Sequence, residues 1–199
     1  MLQPLTTNII IACWVIFWTF WLVSAAFTKR TVWRGSIWPR VGMMAAFVVA
    51  GTLIFGFGGS GGMSGGAVKV TAVAMLWPYH PAVGVACAIL AISALTILLW
   101  ARVTLGRNWS GRIVLKEGHE LVTSGPYAYV RHPIYSGFIL LIFATALQFA
   151  SLASFVGFLI FLAIFLWRTY REDALMSKTF PAEYPAYKAR TKRLIPWVW

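Results

Sequence analysis

The chain has 199 residues, of which 60% are hydrophobic and 11% are charged, and its formal net charge is +12. A composition this apolar, with uninterrupted runs near the ~20 residues that cross a bilayer, excludes an ordinary soluble domain and predicts an all-α integral membrane protein. Basic residues collect in the cytoplasmic loops of such proteins, so we expect no nucleic-acid partner despite the positive charge.

The first half of the chain contains three predicted membrane spans. They cover about 8–27, 41–57 and 82–99. Between the second and third spans lies a glycine-rich stretch, 58–66, which lacks the Gly-Lys-Ser/Thr ending of a phosphate-binding loop and is predicted to be a flexible connector. The short apolar piece that follows, 67–77, is predicted to form an outer loop or a helix lying at the membrane interface.

Span 1 is expected to be retained rather than cleaved, because no basic residue precedes it and it is longer than the apolar core of a signal peptide. It carries Trp14, Trp18 and Trp21, which are predicted to face lipid or the interface. Cys13 and Cys87 lie in apolar runs with no metal-ligand spacing. Both are expected to be free, buried thiols.

The second half begins with a polar segment, 101–133, and continues with an uncharged run, 134–166. That run is too long for one ordinary span. It is predicted to break near 148–151 into a tight hairpin of spans 4 and 5, each about 25 Å long at ~1.5 Å per residue. The tail from 168 onward is predicted to be helical until Pro196.

The distribution of charge predicts the orientation. With five spans and the N-terminus outside, every Lys and Arg except Lys69, and every acidic residue, lies on the cytoplasmic side. The C-terminus and any charged site then face the cytoplasm. We therefore expect two parts, which are 1–104 with the first three spans and a catalytic region, 105–199, that includes the hairpin 134–167 and the tail.

Two polar clusters flank the hairpin, and we expect them to meet at one membrane surface. The first ends in Arg131-His132-Pro133, where Pro133 suits the first turn of a helix and the backbone amides of a helix start favour an anion. The second contains Arg168 and Glu172, which share one face of a helix. The residues alone leave two alternatives open. Arg168 and Glu172 could form a simple ion pair with each other, or Arg168 could bind the carboxylate of a substrate while Glu172 binds a cationic cofactor.

Together the clusters resemble the isoprenylcysteine carboxyl methyltransferase family and its phospholipid methyltransferase relatives, over roughly 105–196. The resemblance is carried by His119 to Tyr127, Arg131 to Tyr135, Arg168, Glu172, Asp173, Phe180, Tyr184 and Tyr187. Two positions depart from the family pattern, because Pro181 stands where relatives usually carry Gly and Asp173 where Glu is common. The segment 112–117 does not align cleanly and is assigned no contact.

The resemblance implies S-adenosyl-L-methionine as methyl donor and no metal. The implied donor contacts are His119, Glu120, Leu121, Val122, Tyr127, His132, Pro133, Ile134, Tyr135 and Glu172. The implied catalytic residues are Arg168, Glu172 and His132. Arg168 matches a substrate-binding position and would favour an acceptor carboxylate, whereas Glu172 would favour the cationic amino group of the donor.

The implied activity is methylation of a lipophilic small-molecule or prenylated acceptor in the membrane, most like carboxyl O-methylation of protein-S-isoprenylcysteine. A carboxylate acceptor is ionised near neutral pH, so the enzyme would mainly align two substrates and exclude water. One alternative is N-methylation of a phospholipid headgroup amine, which requires deprotonation by His132 or Glu172. Others are a sterol-type lipid reductase, for which the chain is short and lacks a nucleotide fingerprint, and a non-catalytic protein that keeps the fold.

Overall fold

The computed structural model describes residues 2–27, 38–56, 75–109 and 120–199, and the regular elements in these ranges are all helical. The α-helices are α1 (Leu2–Ala25), α2 (Trp38–Gly51), α3 (Pro81–Leu105), α4 (Pro133–Phe149), α5 (Leu152–Thr179) and α6 (Tyr184–Arg190). A π-helical turn, Thr52–Gly56, continues α2, and 3₁₀ turns occupy Gly106–Asn108 and Gly125–Ala128. The glycine-rich stretch 58–66 lies outside the described residues.

Three helical segments are long and apolar enough to cross a membrane, namely Leu2–Ala25, Pro81–Asn108 and Leu152–Thr179. Two apolar helices are shorter, Gly42–Gly56 and Pro133–Phe149. At ~1.5 Å per residue, α4 is about 25 Å long, somewhat less than the ~30 Å hydrocarbon core. The chain is therefore a helical membrane protein, and the number of five spans stays a prediction.

Contacts at the helix ends establish the relative directions of three helices. Thr6 near the start of α1 lies 3.5 Å from the hydroxyl of Tyr79, just before α3, and accepts a hydrogen bond from Gln148 at the end of α4. At the opposite end, Arg102 of α3 donates to the carbonyl of Ser24 in α1. Thus α1 and α3 run parallel to each other, and α4 runs antiparallel to both.

The apolar run after Pro133 folds as the predicted hairpin. Ala150 ends α4 in a left-handed conformation (φ 51°), and Ser151 caps α5 by accepting a hydrogen bond from the amide of Ser154. Leu76 donates its amide to the Ala150 carbonyl at 2.7 Å. The last residues of the apolar piece predicted for 67–77 therefore pack on the hairpin tip, whereas 67–74 lie outside the described residues.

The C-terminal tail is helical as predicted over its first part and differs from the prediction at its end. α5 is one continuous helix to Thr179, so its polar half extends well past Leu166, where the uncharged run ends. Helix ends at Arg190 rather than near Pro196. The reason is a backbone pairing, because the carbonyls of 192 and 193 accept hydrogen bonds from the amides of 131 and 132, and this requires an extended tail.

The tryptophans of α1 were predicted to face lipid, and for two of them the prediction is wrong. Trp21 is buried, and half-buried Trp14 donates its indole N–H to the hydroxyl of Thr145 on α4 at 3.0 Å. Trp18 is exposed. Trp14, Phe17 and Trp21 are spaced three and four residues apart, so they form one inward stripe that a helical period predicts.

The main core lies among α1, α3 and α4, where small residues permit close helix contact. A Cβ built on Gly137 of α4 would lie 2.7 Å from Leu98 Cγ of α3. Ala91 and Ala94 of α3 are fully buried in the same cluster. Cys13 and Cys87 lie there as free, buried thiols, which confirms that prediction.

Replacing Gly157 should separate α5 from α2. A Cβ at Gly157 would lie 2.7 Å from the carbonyl oxygen of Ala50, a backbone atom that has little room to move. We expect Gly157→Ala to lower the stability by about 1–3 kcal/mol, the usual cost of overpacking. Gly42→Ala is the matched control, because nothing lies within 4 Å of a Cβ at that glycine. Equal melting temperatures for the two variants in one detergent would contradict this packing.

Candidate active site

A cavity of about 510 Å³ lies between the helices and reaches the polar end of the bundle. One wall is polar and is lined by Glu120, Tyr127, Arg131, His132, Tyr135, Arg168 and Glu172. The rest of the lining includes an aromatic wall, which is formed by Trp14, Phe17, Trp18, Trp21, Phe47, Phe55, Phe138, Phe161 and Phe165. The cavity therefore joins charged groups to a surface suited to a hydrocarbon chain.

The hydroxyl of Tyr135 connects two charged groups on the polar wall. It donates to Glu172 Oε2 at 2.8 Å and accepts from Arg168 Nε at 3.1 Å. The Arg168 guanidinium also lies 5.6 Å from the centre of the Tyr135 ring. Arg168 is buried, whereas the Glu172 side chain is 35% exposed. An anion-binding group and a cation-binding group are thus held side by side, one turn apart on α5.

Asp173 is the centre of a buried polar cluster next to the cavity. Its carboxylate lies 2.8 Å from His132 Nε2 and accepts hydrogen bonds from the Tyr184 hydroxyl, from Arg131 Nε at 3.4 Å and from Arg193 Nε at 3.2 Å. Several donors around one carboxylate favour its ionised form. Asp173 therefore ties the start of α4, the start of α6 and the C-terminal segment to α5.

His132 belongs to the polar wall and is almost fully buried. Its Nε2 is engaged by Asp173, and its Nδ1 lies 3.9 Å from Glu172 Oε2. The imidazole stacks on the Tyr135 ring, with 5.6 Å between centroids. His132 therefore supports the two side chains that carry the charged end of the cavity.

Three buried tyrosines hold this region as neutral hydroxyls. Burial raises the pKa of Tyr184 well above its usual range, and the hydrogen bond to Asp173 raises it further. Burial also raises the pKa of Tyr187, which donates to the Tyr127 carbonyl at 2.8 Å. Burial raises the pKa of Tyr127, and the charge of Glu172 adds to this. These groups keep their protons, so α6 is held against the cavity by hydroxyl donors.

The two polar clusters that flank the hairpin meet at this cavity. Of the donor contacts implied from the sequence, those that line it are Glu120, Leu121, Val122, Tyr127, His132, Ile134, Tyr135 and Glu172. Arg168 lines it as well. Pro133 does not belong to the described lining, because it is fully buried in the first turn of α4. His119 lies outside the described residues.

Other residues of the site were not assigned from the sequence. α5 adds Phe161, Phe165 and Leu175, which share one stripe with the assigned Arg168 and Glu172 at a spacing of three or four residues that is legible in the sequence. Asn108 and the aromatic side chains of α1 and α2 also line the cavity. No charge or motif distinguishes the aromatic side chains of α1 and α2 along the chain, whereas Asn108 lies in the basic, aromatic stretch 105–112, for which the sequence allows either an interfacial collar or a wall of a headgroup or cofactor pocket. Across the described ranges, no group of three or more His, Cys, Asp or Glu side chains is arranged to hold a metal ion.

A comparison with known families gives the relationship of one segment of the chain. Residues 86–178 match the model of the isoprenylcysteine carboxyl methyltransferase (ICMT) family. This segment is similar to the isoprenylcysteine carboxyl methyltransferase family. The matched ICMT segment contains the whole polar wall, whereas α1, α2 and α6 lie outside it.

Relatives of the ICMT segment include curated methyltransferases from plants and fungi. Protein-S-isoprenylcysteine O-methyltransferase B of Arabidopsis thaliana is 30% identical over 105 residues, which cover 49% of this chain and 51% of that protein. Protein-S-isoprenylcysteine O-methyltransferase of Schizosaccharomyces pombe is 34% identical over 103 residues, 48% of this chain and 42% of that protein. The chain thus spans about half the length of these curated relatives.

The fold has a solved counterpart. The structure of the eukaryotic intramembrane Ras methyltransferase ICMT superposes with a TM-score of 0.53 and 20% sequence identity, over 84% of this chain and 55% of that chain. At this identity the likeness shows a shared fold. It covers more of the chain than the family match does, so α1 or α2 contributes to the common architecture as well.

Proposed function

We propose that this protein is a member of the ICMT family and transfers a methyl group from S-adenosyl-L-methionine to the carboxylate of a lipophilic acceptor, such as a prenylated cysteine. The observation that carries the proposal is the single cavity, which joins the Arg168, Tyr135 and Glu172 cluster to an aromatic wall. The relatives that share the polar wall are named protein-S-isoprenylcysteine O-methyltransferases. When bound, the methyl donor supplies an electrophilic methyl group on a sulfonium.

The residues present fit such a donor. The Glu172 carboxylate lies at the cavity and is partly exposed, so it complements a cationic amino group. The cavity volume of about 510 Å³ falls within the ~300–1,000 Å³ typical of small-molecule sites. The donor-holding residues in this proposal are Glu120, Leu121, Val122, Tyr127, His132, Ile134, Tyr135 and Glu172.

Arg168 would hold the acceptor carboxylate, which is already ionised near neutral pH and needs no strong base. The Tyr135 hydroxyl keeps Arg168 and Glu172 at a set separation, so it controls the distance between the two substrates. His132 acts as a positioning residue through Tyr135 and Asp173. The aromatic wall would bind the acceptor's hydrocarbon chain and keep water away from the reacting atoms.

The proposal includes an orientation of the protein in the membrane. We propose five spans with the N-terminus outside and the C-terminus and site in the cytoplasm. In this arrangement, region 105–199 supplies the charged chemistry and region 1–104 supplies three spans. The parallel directions of α1 and α3, with α4 opposed, agree with it.

Methyl transfer in detergent tests the proposal. The purified protein is incubated with radiolabelled S-adenosyl-L-methionine and either a farnesylcysteine with a free carboxylate, its preformed methyl ester, or a phosphatidylethanolamine. We expect base-labile label only in the free acid. Label in the lipid amine would support headgroup N-methylation instead, and consumption of a reduced nicotinamide cofactor with a membrane lipid would support a reductase. Absence of both methyl transfer and saturable donor binding would overturn the proposal.

Tyr135→Phe should impair catalysis without unfolding the protein. The variant keeps the ring that stacks on His132 but removes the hydroxyl that bridges Glu172 and Arg168. Because hydrogen bonds to charged groups contribute ~1.5–3 kcal/mol, we expect kcat/KM for the methyl donor to fall by at least about tenfold. Tyr129→Phe is the matched control, since Tyr129 is 54% exposed. Equal kcat/KM values for the two variants would show that the bridging hydroxyl of Tyr135 does not contribute to catalysis.

A further inference from the structure

Asn108 lies on the cavity wall, and its side-chain amide has no hydrogen-bond partner among the residues that the structure describes. It closes the 3₁₀ turn that follows α3, is only 9% exposed, and lines the cavity. Its Oδ1 is buried and has no hydrogen-bond partner, and no described residue bonds its amide nitrogen. A buried polar group without a hydrogen-bond partner lowers the stability of the fold by about 1–3 kcal/mol. Such a group is therefore expected where a bound ligand supplies the missing hydrogen bond.

Asn108 differs from the other buried side chains that have an unpaired atom in the described part of the chain. Arg102 leaves only Nε unpaired, because its other nitrogens donate to the carbonyls of Gly106 and Ser24. Gln148 leaves only Oε1 unpaired, because its nitrogen donates to Thr6. Those two side chains hold helices together, whereas Asn108 does not bond another element in this way.

The hydrogen-bonding groups of a primary amide indicate which part of a ligand Asn108 can bind. An amide offers one acceptor and one donor side by side, and the edge of adenine that carries the 6-amino group and the acceptor N7 is the complementary pair. An ammonium only donates and a carboxylate only accepts, so neither satisfies both ends. A half-turn about the broad Cβ–Cγ torsion exchanges oxygen and nitrogen, so either end can face the cavity.

The surroundings of Asn108 suit a purine. Leu105, Trp109 and Val122 are partly buried, line the cavity and pack against the same core cluster. The Trp109 ring is held in place by the Arg102 guanidinium, 4.6 Å from the ring centre, and by an edge contact with Trp21. Apolar and aromatic side chains beside one amide make a surface on which a base can stack.

We propose that Asn108 binds the adenine edge of the methyl donor and makes the cavity selective for adenine. This inference rests on the proposed function, since it names the residue that reads the base. Glu172, on α5, then serves the amino-acid end of the same ligand, and Asn108, at the end of α3, serves the nucleoside end.

Ligand binding without turnover tests the inference. The full chain in detergent is titrated calorimetrically with S-adenosylhomocysteine and with S-inosylhomocysteine. In the inosyl ligand a carbonyl replaces the amino group, so the edge with N7 presents two acceptors, which an amide cannot match in either orientation. A good bidentate pair with a base is worth roughly tenfold to a hundredfold in discrimination, and we expect the wild type to prefer the adenosyl ligand by at least tenfold. Asn108→Leu should lose that preference while binding the inosyl ligand within about twofold of the wild type.

Arg107→Ala is the control, because Arg107 is an exposed neighbour that does not line the cavity. It should keep the preference. Asn108→Leu should melt no lower than the wild type without ligand, because it replaces an unpaired amide by an apolar group; a loss of discrimination then reflects recognition rather than folding. Unchanged discrimination in Asn108→Leu would overturn this inference alone. Failure of the wild type to bind either ligand would overturn the proposed function together with it.

Discussion

Glu172→Gln should weaken binding of S-adenosylhomocysteine by about tenfold to a hundredfold and reduce methyl transfer at least as much, since a hydrogen bond to a charged group contributes ~1.5–3 kcal/mol. Glutamine keeps the shape of the side chain and an oxygen that can accept from Tyr135, so the bridge at 2.8 Å has a substitute. What the variant removes is the negative charge at the cavity. Calorimetry of the purified protein measures the affinity, and initial rates measure the transfer.

A second carboxylate supplies the control for that experiment. Glu183 is exposed in the turn before α6 and does not line the cavity, so Glu183→Gln should bind and react like the wild type. Both variants change the net charge by the same amount, which separates a local effect from a general one. Wild-type affinity in Glu172→Gln would show that this carboxylate does not hold the donor.

Asp173→Ala should produce the largest loss of stability. It leaves His132, Tyr184, Arg131 and Arg193 without the acceptor that they share. Removing one partner of a buried charged cluster typically costs about 3–5 kcal/mol. Because this cluster ties the tail to α5, we expect the C-terminal segment to detach. Thermal unfolding in detergent measures the loss, and trypsin should cleave near Lys192 faster than in the wild type.

Tyr184→Phe is a milder change in the same cluster, and its stability is compared with that of Asp173→Ala. It removes a single donor and leaves the carboxylate with its histidine and arginine partners, so we expect a loss of only about 1 kcal/mol. The order of stability should therefore be wild type, Tyr184→Phe, Asp173→Ala. A melting temperature of Asp173→Ala equal to that of the wild type would refute the central role of this carboxylate.

The positions of the apolar helices were largely predictable, because hydropathy measures how favourably a segment transfers from water into the hydrocarbon core of a membrane. The hairpin break was also predictable, since no ordinary span is as long as the run that follows Pro133. The end of the tail was not, because the chain beyond Arg190 pairs with the backbone of 131 and 132. Pairing between segments so distant in sequence has no local signal.

The charged residues of the site were predictable for a different reason. Placing a charged side chain at the end of a membrane span costs free energy unless it binds a partner or a ligand. Arg168 and Glu172 could therefore be identified as candidate site residues from the sequence. Trp14 and Trp21 carry no such cost in lipid, and they were assigned to the wrong face. Asp173 was recognised as a departure from the family pattern, but its four partners come from three separate segments.

The sequence by itself determined that the chain is a helical membrane protein with a hairpin, and that two polar clusters flank this hairpin with Arg168 and Glu172 on one face. These features follow from local composition and from the helical period. Only the tertiary structure decided that Tyr135 bridges that pair, that aromatic residues of α1 and α2 complete the cavity, and that Asn108 lies on its wall without a hydrogen-bond partner among the described residues. Such relations depend on distances between residues far apart in the chain, and packing sets those distances.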